Sequence, residues 1–123
     1  MEKSSILIIE DEKAIAGVLK LKLESAGFVV DVAEDGKSAL EMIDRDGYVI
    51  LLLDLILPDV DGFKVLEAFR AHDTKTPVVV LTNLAQEEDR NRIDALGVSG
   101  YYVKSQTSLN EIVEIVRSLL QKT

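Results

Sequence analysis

The fold is decided by the stretch Tyr48-Val49-Ile50-Leu51-Leu52-Leu53-Asp54, in which six apolar residues are closed by an acid. A strand with one face in water alternates apolar and polar residues, whereas a continuous apolar run is typical of a strand covered on both faces. Asp59, Asp61 and Gly62 follow and favour a turn and the start of a helix. The stretch therefore predicts the central strand of a parallel sheet, with Asp54 at its carboxyl end.

Four more apolar runs flank this stretch and alternate with helical patterns. The runs are Ile6-Leu7-Ile8-Ile9, Phe28-Val29-Val30, Val78-Val79-Val80-Leu81 and Tyr101-Tyr102-Val103. The helical patterns cover residues 12–26, 37–45, 62–71, 85–96 and 107–121. Strands joined to helices by such short connections imply right-handed parallel crossovers. The sequence predicts an α/β sandwich of five strands and five helices, forming one domain over residues 1–123.

Length, charge and composition limit the class of protein. The 123 residues are 47% hydrophobic, which suits one compact core. A formal charge of −8 would repel a nucleic-acid backbone, so we expect no direct nucleic-acid binding. The lack of cysteine excludes disulfides, thiolate metal sites and thiol nucleophiles. Because no membrane span or signal peptide is visible, we expect a cytoplasmic protein, with no effector beyond the fifth helix.

Polar residues stand where four of the predicted strands end. Glu10 and Asp11 follow the first strand, Asp54 follows the third, Thr82 ends the fourth and Lys104 follows the fifth. Ligands of open parallel sheets bind beyond the carboxyl ends of the strands. We therefore expect three acids, one hydroxyl and one lysine to converge at one edge of the sheet.

This set of side chains supports phosphoryl transfer. Carboxylates placed together repel one another unless a cation neutralises them, and an all-oxygen set of ligands suits Mg²⁺. Asp54 is then a nucleophile that forms an acyl phosphate. Lys104 can neutralise phosphoryl oxygens, and Thr82 can donate a hydrogen bond to them. Phosphoryl transfer needs little beyond such positioning and charge.

The same motifs occur together in a known family. In chain order they are Ile-Leu-Ile-Ile-Glu10-Asp11-Glu12, Leu-Leu-Leu-Asp54-Leu-Ile-Leu-Pro58-Asp59-Val-Asp61-Gly62, Val-Val-Val-Leu-Thr82 and Gly-Tyr101-Tyr-Val-Lys104. Together they resemble the response-regulator receiver domain of two-component signalling, from Ser5 to Leu120. The resemblance implies a flavodoxin-like fold with strand order 2-1-3-4-5. It also implies a signalling switch that accepts a phosphoryl group from a histidine kinase or a phosphotransfer protein.

The resemblance assigns Mg²⁺ and the phosphoryl group to particular residues. Asp54 is implied to be the phosphoacceptor. Asp11 and the backbone carbonyl of Ile56 would join Asp54 on the metal, and Glu10 would act partly through water. The domain would catalyse its own phosphorylation and slow dephosphorylation, and it would not otherwise be an enzyme.

The resemblance also implies a switch and an output face. Lys104 and Thr82 would contact the phosphoryl group, and Tyr101 would be the aromatic switch residue. Tyr101 and Tyr102 must alternate faces in a strand, so one can be the switch and the other part of the core. The face made by the fourth helix, fifth strand and fifth helix would bind a downstream protein target. A homodimer that depends on phosphorylation is a further implied partner.

Each site residue also has a purely structural interpretation. Glu10 or Asp11 could cap the first helix, because Asp is a favoured N-cap, and Asp11 could do both. Asp54 could be a turn residue, although an acid buried at the end of an apolar run is costly. Thr82 could simply pack at a strand end. Lys104 could be a solvated charge.

Two features depart from the pattern of the family. The family usually has Pro after the lysine, joined through a cis peptide, whereas Ser105 follows Lys104 here. A cis bond before a non-proline residue costs ~3 kcal/mol more than a trans bond, so the sequence leaves the geometry of Lys104 open. Residues 86–92 carry no apolar side chain, so the fourth helix should bury little and be loosely held at its start.

The lifetime of the phosphorylated form depends on access of water. Ile56 and Leu84 stand two residues past Asp54 and Thr82, and both are bulky and apolar. Neither can hydrogen-bond an attacking water. We therefore expect a long-lived phosphorylated form.

Other function classes fit the motifs less well. A hydrolase of the aspartyl-phosphate type would need Asp-x-Asp directly after a strand, but Asp59-x-Asp61 lies further along. A flavin phosphate would be repelled by Glu10-Asp11-Glu12. Gly97-Val-Ser99-Gly100 lacks the spacing of a nucleophile elbow. Because of Ser105, a degenerate receiver that binds a partner without phosphorylation is the main alternative.

Overall fold

The computed structural model describes residues 5–44, 47–83 and 86–121, and within them strands alternate with helices. In chain order the elements are β1 (Ser5–Ile9), α1 (Lys13–Ser25), β2 (Val29–Ala33), α2 (Gly36–Met42), β3 (Tyr48–Leu53), α3 (Gly62–Arg70), β4 (Val78–Thr82), α4 (Glu87–Ala95), β5 (Gly100–Val103), a short 3-10 helix (Lys104–Gln106) and α5 (Leu109–Gln121). The predicted α/β sandwich is confirmed, with most boundaries within two residues of the expectation.

The five strands form one parallel sheet in the order β2-β1-β3-β4-β5. This is the flavodoxin-like order that the family resemblance implied, with β3 in the centre. Ile9 pairs with Leu53, and Thr82 pairs with Val103, so the carboxyl ends of these four strands lie at one edge of the sheet. That edge is where the candidate functional residues follow.

The apolar strands are explained by a core on each face of the sheet. Leu51 and Leu53 pack with buried residues of α2, α3 and α4. Ile50 and Leu52 pack on the opposite face with buried residues of α1 and α5. Consecutive strand residues point to opposite faces, so a strand covered on both faces needs apolar residues at every position.

Three elements differ from the sequence-based expectation, and one of them is α2, which ends at Met42 and not at residue 45. β2 runs on to Ala33, because it is an edge strand in which a partly exposed polar residue is tolerated; Asp31 accepts a hydrogen bond of 2.8 Å from the Tyr48 hydroxyl. α4 is shorter than predicted, and Ile93 is its one buried residue in the part that the structure describes. None of the helices within the described ranges is long and apolar enough to cross a bilayer.

The loop between β3 and α3 is closed by a backbone hydrogen bond between its two ends. The Gly62 amide donates to the Leu55 carbonyl at 3.0 Å, and a Cβ at Gly62 would lie 2.4 Å from the Leu55 Cα, so only glycine fits. Asp61 caps α3 by accepting from the Phe63 amide at 2.9 Å. The helix-start role predicted for Asp61 and Gly62 is confirmed.

Asp59 caps a different helix from the one that its position suggested. Its carboxylate accepts hydrogen bonds from the Gly36 amide at 2.8 Å and the Lys37 amide at 3.0 Å, at the start of α2. These donors are among the amides that a helix leaves without an internal partner. The loop after Asp54 is thereby fastened to α2.

Candidate functional site

Backbone hydrogen bonds beyond the strand ends align the acids of the site. The Asp54 amide donates to the Ile9 carbonyl at 3.0 Å, and the Glu10 amide donates to the Ala33 carbonyl at 3.0 Å. Both bonds continue the parallel ladder past the last paired residues. Glu10 and Asp54 therefore lie on neighbouring strands at the same edge of the sheet, as predicted. Both are buried, at 3% and 5% exposure.

Lys104 lies among three carboxylates. Its ammonium nitrogen is 2.8 Å from Asp54 Oδ2, 2.8 Å from Glu10 Oε1 and 2.8 Å from Glu12 Oε1. The Lys104 side chain is only 9% exposed, so the interpretation of Lys104 as a solvated charge is wrong. One cation thus neutralises part of an acidic cluster and leaves it with an excess of negative charge.

Burial and charge shift two pKa values in this cluster. Burial raises the pKa of the Glu10 carboxyl, and this outweighs the hydrogen bonds that Glu10 accepts from Lys104 and from the Glu12 amide. Burial alone would lower the pKa of Lys104, but its hydrogen bonds to Asp54, Glu10 and Glu12 raise that pKa above the usual lysine value. Lys104 is therefore a permanent cation beside Asp54 at physiological pH.

Asp54 is held through both of its carboxylate oxygens. Oδ2 accepts from Lys104, and Oδ1 accepts from the Ile56 amide at 3.0 Å. These bonds fix the carboxylate in one orientation. The bond from the Ile56 amide, two residues on, is the one that the interpretation of Asp54 as a turn residue predicts. The bond from Lys104 is not explained by a turn, and it favours the interpretation of Asp54 as a nucleophile.

The acids at the edge form a set of ligands that fits a divalent cation. One carboxylate oxygen from each of Glu10, Asp11 and Asp54 lies within 4.8 Å of the other two. All three donors are oxygen, as Mg²⁺ prefers. Glu10 already accepts from Lys104 and from the Glu12 amide, whereas Asp11 is exposed. Asp11 is thus the member of this set that a cation in solution can reach most directly.

Helix capping does not account for the acids after β1. The N-cap of α1 is Glu12, whose side chain makes no capping bond. Glu10 instead accepts from the Glu12 amide at 3.0 Å through Oε2. The alternative interpretation of Glu10 or Asp11 as the N-cap is therefore wrong.

A cavity of about 160 Å³ opens beside the acidic cluster. Its lining residues come from four loops at the sheet edge and are Asp11, Glu12, Asp54, Ile56, Asn83 and Lys104. The cavity therefore brings the predicted nucleophile, a predicted metal ligand and the lysine together around one open space. The metal-ligand role of the Ile56 carbonyl stays a prediction.

The predicted switch residues lie on β4 and β5. Thr82 is fully buried at the end of β4, one strand over from Asp54. Tyr101 is half-buried and packs against the core on the α3 face, whereas Tyr102 packs on the opposite face, so their predicted alternation is confirmed. The Arg90 guanidinium of α4 lies 5.5 Å from the centre of the Tyr101 ring. Tyr101 thus connects β5 with α4.

Sequence reasoning missed two residues of the site, Glu12 and Asn83. Glu12 directly follows Asp11 in the sequence, but its contact is with Lys104, which is 92 positions away. Asn83 follows Thr82, and its side-chain oxygen accepts from the Ser105 amide at 2.9 Å. The hydrogen-bonding side chain directly after Thr82 was the available signal. Leu84, which was predicted together with Ile56 to prolong the life of the phosphorylated form, lies outside the described residues.

The Lys104–Ser105 peptide resolves the question that the missing proline raised. None of the peptide bonds in the described ranges is cis, so this bond is trans. Lys104 nonetheless reaches Asp54 at 2.8 Å. The trans geometry therefore does not divert the lysine from the candidate nucleophile.

The chain is similar to known proteins over most of its length. Residues 6–117 match the family described as "Response regulator receiver domain". The chain is 36% identical to the uncharacterized transcriptional regulatory protein YkoG of Bacillus subtilis, over 99% of this chain and 53% of that protein. It is 38% identical to the transcriptional regulatory protein SrrA of Staphylococcus aureus, over 98% of this chain and 49% of that protein. The chain spans about half the length of these relatives.

A solved structure agrees over nearly its whole length. The receiver domain of the Francisella response regulator 1452 superimposes with a TM-score of 0.86 at 31% identity, covering 98% of both chains. The similarity thus includes the complete sheet and its edge.

Proposed function

The chain belongs to the family of response regulator receiver domains, the phosphoacceptor domains of two-component signal transduction, and from this premise we propose that Asp54 accepts the phosphoryl group. The observation that carries the proposal is the buried Asp54 carboxylate, which Lys104 and the Ile56 amide hold at the wall of the cavity. The donor is a phosphohistidine of a histidine kinase or a phosphotransfer protein. A cytoplasmic location is part of the proposal and rests on the family alone.

The proposed reaction replaces one phosphorus bond by another. A carboxylate oxygen of Asp54 bonds to phosphorus while the phosphorus–nitrogen bond of the donor breaks. The electron pair of that bond returns to the imidazole nitrogen. Lys104 stays within reach of the oxygens on Asp54 and can donate to the phosphoryl group, since its ammonium carries three donors. The Thr82 hydroxyl is the second proposed donor.

Mg²⁺ is the proposed cofactor of this reaction. Asp11, Asp54 and the Ile56 carbonyl would hold it, with Glu10 acting through water. Bound there, it would neutralise the phosphoryl oxygens that the acidic cluster would otherwise repel. The excess of carboxylates over lysine at the edge supports this assignment.

The proposed output begins at Thr82 and Tyr101. A phosphoryl group on Asp54 would draw the Thr82 hydroxyl and open space for the Tyr101 ring. Tyr101 contacts Arg90 of α4, so its movement would alter the face formed by α4, β5 and α5. The phosphoryl group can bias this change only through its different contacts in the two states. That face is the proposed site for a protein target or for a phosphorylation-dependent homodimer.

A degenerate receiver is the weaker alternative. It would need no assembled nucleophile, lysine and metal ligands, yet Asp54, Lys104 and Asp11 line one cavity. Ser105 had favoured this alternative, but Lys104 reaches Asp54 through a trans peptide. No observation now favours it.

The proposal is tested by intact mass spectrometry after incubation with acetyl phosphate and Mg²⁺. The wild type should gain the mass of one phosphoryl group, and the gain should require the metal. Asp54→Asn keeps the shape of the side chain and should gain nothing. Equal labelling of wild type and Asp54→Asn would contradict the assignment.

A second variant distinguishes the loss of a metal ligand from the loss of the nucleophile. Asp11→Ala should weaken Mg²⁺ binding and slow phosphorylation together, because it removes a ligand and leaves Asp54 in place. Titration with Mg²⁺, followed by the shifts of nearby backbone amides, measures the affinity directly. An unchanged affinity would remove Asp11 from the proposed metal site.

A further inference from the structure

A side-chain hydrogen bond joins the loops that follow β4 and β5. Asn83 Oδ1 accepts from the Ser105 amide at 2.9 Å. The residues before them are Thr82 and Lys104, the two proposed phosphoryl-binding residues. Thr82 pairs with Val103 in the last register of β4 and β5. The Asn83 side chain therefore adds one more hydrogen bond between these two segments, beyond the last residue pair of β4 and β5.

The Ser105 amide needs such a partner because of where it lies. Ser105 is the second residue of the 3-10 helix at Lys104–Gln106. The first amides of a helix have no acceptor within the helix and must find one outside it. The Asn83 oxygen supplies that acceptor. Proline at position 105 would have no N–H to donate, so this bond is available to the chain because position 105 is not a proline.

The bond also fixes the base of the Lys104 side chain. On one side, β5 holds the backbone at Val103, whose carbonyl accepts from the Thr107 hydroxyl at 2.8 Å. On the other side, Asn83 holds the Ser105 amide. Lys104 lies between these two anchors and carries a long, flexible stem. A shift of its Cα would displace an ammonium nitrogen that now lies 2.8 Å from Asp54.

We propose that Asn83 is a positioning residue, which acts through the Ser105 amide to aim Lys104 at the phosphorylation site. The pair of Asn83 and Ser105, here called the clasp, holds a trans Lys104–Ser105 peptide in a productive conformation. This inference rests on the proposed function of Asp54 and Lys104. It adds a residue pair that positions Lys104 through the backbone next to it and that contacts neither the phosphoryl group nor the metal.

The clasp is tested with three variants and a matched control. Asn83→Ala removes the acceptor, Ser105→Pro removes the donor, and the double variant removes both. Ser105→Ala is the control, because it keeps the backbone N–H. Each single clasp variant should lower the maximal rate of phosphorylation by acetyl phosphate roughly three- to tenfold, the effect of losing about one hydrogen bond. The affinity for Mg²⁺ should stay within about twofold, since the proposed ligands Asp11, Asp54 and the Ile56 carbonyl are all unchanged.

The double variant distinguishes a clasp from two unrelated effects. If Asn83 acts through Ser105, the double variant should be no slower than the slower single variant. A double variant whose phosphorylation rate falls by the product of the two single reductions would overturn the proposal. The folded state of each variant is checked by circular dichroism, and Asn83→Ala alone decides the matter if Ser105→Pro does not fold.

Two measurements on the unphosphorylated protein test the clasp independently. Exchange of the Ser105 amide with water should accelerate in Asn83→Ala but not in Ser105→Ala. The nitrogen resonance of the Lys104 ammonium should shift in Asn83→Ala only. Unchanged exchange, an unchanged ammonium resonance or an unchanged maximal rate in Asn83→Ala would each overturn the proposal. If the wild type takes no phosphoryl group, the proposed function fails, and the two resonance measurements then decide whether the clasp positions Lys104.

Discussion

The Lys104 ammonium nitrogen lies 2.8 Å from Asp54 Oδ2, although the two residues are 50 positions apart in the chain. The contact is possible because β3 and β5 end at the same edge of one parallel sheet. It neutralises a carboxylate that is only 5% exposed. The same lysine also contacts Glu10 and Glu12. Lys104 is therefore needed by the folded state before any phosphoryl group arrives.

Lys104→Met should reduce both stability and phosphorylation. Methionine keeps most of the volume but removes the cation, which leaves the buried Glu10 and Asp54 carboxylates with backbone amide donors and no neutralising charge. Breaking a buried ion pair on one side costs about 3 kcal/mol, so we expect a loss of that order in the free energy of unfolding. The rate of phosphorylation should fall by more than about tenfold. Urea unfolding and labelling by acetyl phosphate measure the two effects.

Lys13→Met is the matched control for this substitution. Lys13 is 81% exposed and lies 3.8 Å from Glu34, so its loss should change the free energy of unfolding by less than about 1 kcal/mol. Equal unfolding midpoints for Lys104→Met and Lys13→Met would show that Lys104 does not stabilise the cluster.

The arrangement of the site was predictable to the extent that it follows strand ends. The apolar runs of β1, β3, β4 and β5 marked strands, and the residue after each of these runs lies at the edge of the sheet that holds the site. Asp54 and Lys104 could be assigned in this way, because one rule places the end of every parallel strand. Glu12 could not be assigned, since its contact depends on how far the Lys104 side chain extends. The length of β2 was underestimated because Asp31 breaks its apolar run.

Asp59→Asn should destabilise the fold in a pH-dependent manner. Hydrogen bonds from the Gly36 and Lys37 amides lower the pKa of the Asp59 carboxyl below the ordinary value of 3.8. A carboxyl with a lowered pKa in the folded state stabilises that state above its unfolded pKa. The stabilisation is lost as the pH falls through the folded pKa. The difference in stability between wild type and Asp59→Asn should therefore be full at neutral pH, begin to fall near pH 3.8 and disappear once the pH is below the folded pKa.

Urea midpoints measured from neutral to acidic pH check this prediction. Asp44→Asn is the control, because Asp44 is an exposed carboxylate just past the other end of α2. A difference between wild type and Asp59→Asn that stays constant with pH would contradict a role for the Asp59 charge. Sequence reasoning could assign Asp59 to a helix start but not to α2, because the contact spans 23 positions and depends on how α2 and α3 pack.

Ile56→Asn should shorten the life of the phosphorylated form. Hydrolysis requires a water in line with the bond between phosphorus and the Asp54 oxygen. Ile56 lines the cavity, its side chain is 50% exposed, and its amide is fixed by Asp54 Oδ1. Its apolar side chain cannot hydrogen-bond a water, whereas asparagine could orient one. Positioning of a reactant is worth several kcal/mol at best, and a gain of ~1–2 kcal/mol corresponds to roughly ten- to thirtyfold faster loss of phosphate.

The measurement is the decay of the phosphoryl mass in the wild type, Ile56→Asn and Ile56→Val at equal Mg²⁺. Ile56→Val is the matched control, because it keeps an apolar side chain at the cavity and should decay like the wild type. A half-exposed isoleucine contributes little to the core, so both variants should unfold at nearly the same urea concentration as the wild type. If Ile56→Asn and Ile56→Val decay at the same rate, orientation of water by residue 56 does not set the lifetime. The clasp would then be the next determinant to test, since Lys104 is the cation that contacts Asp54.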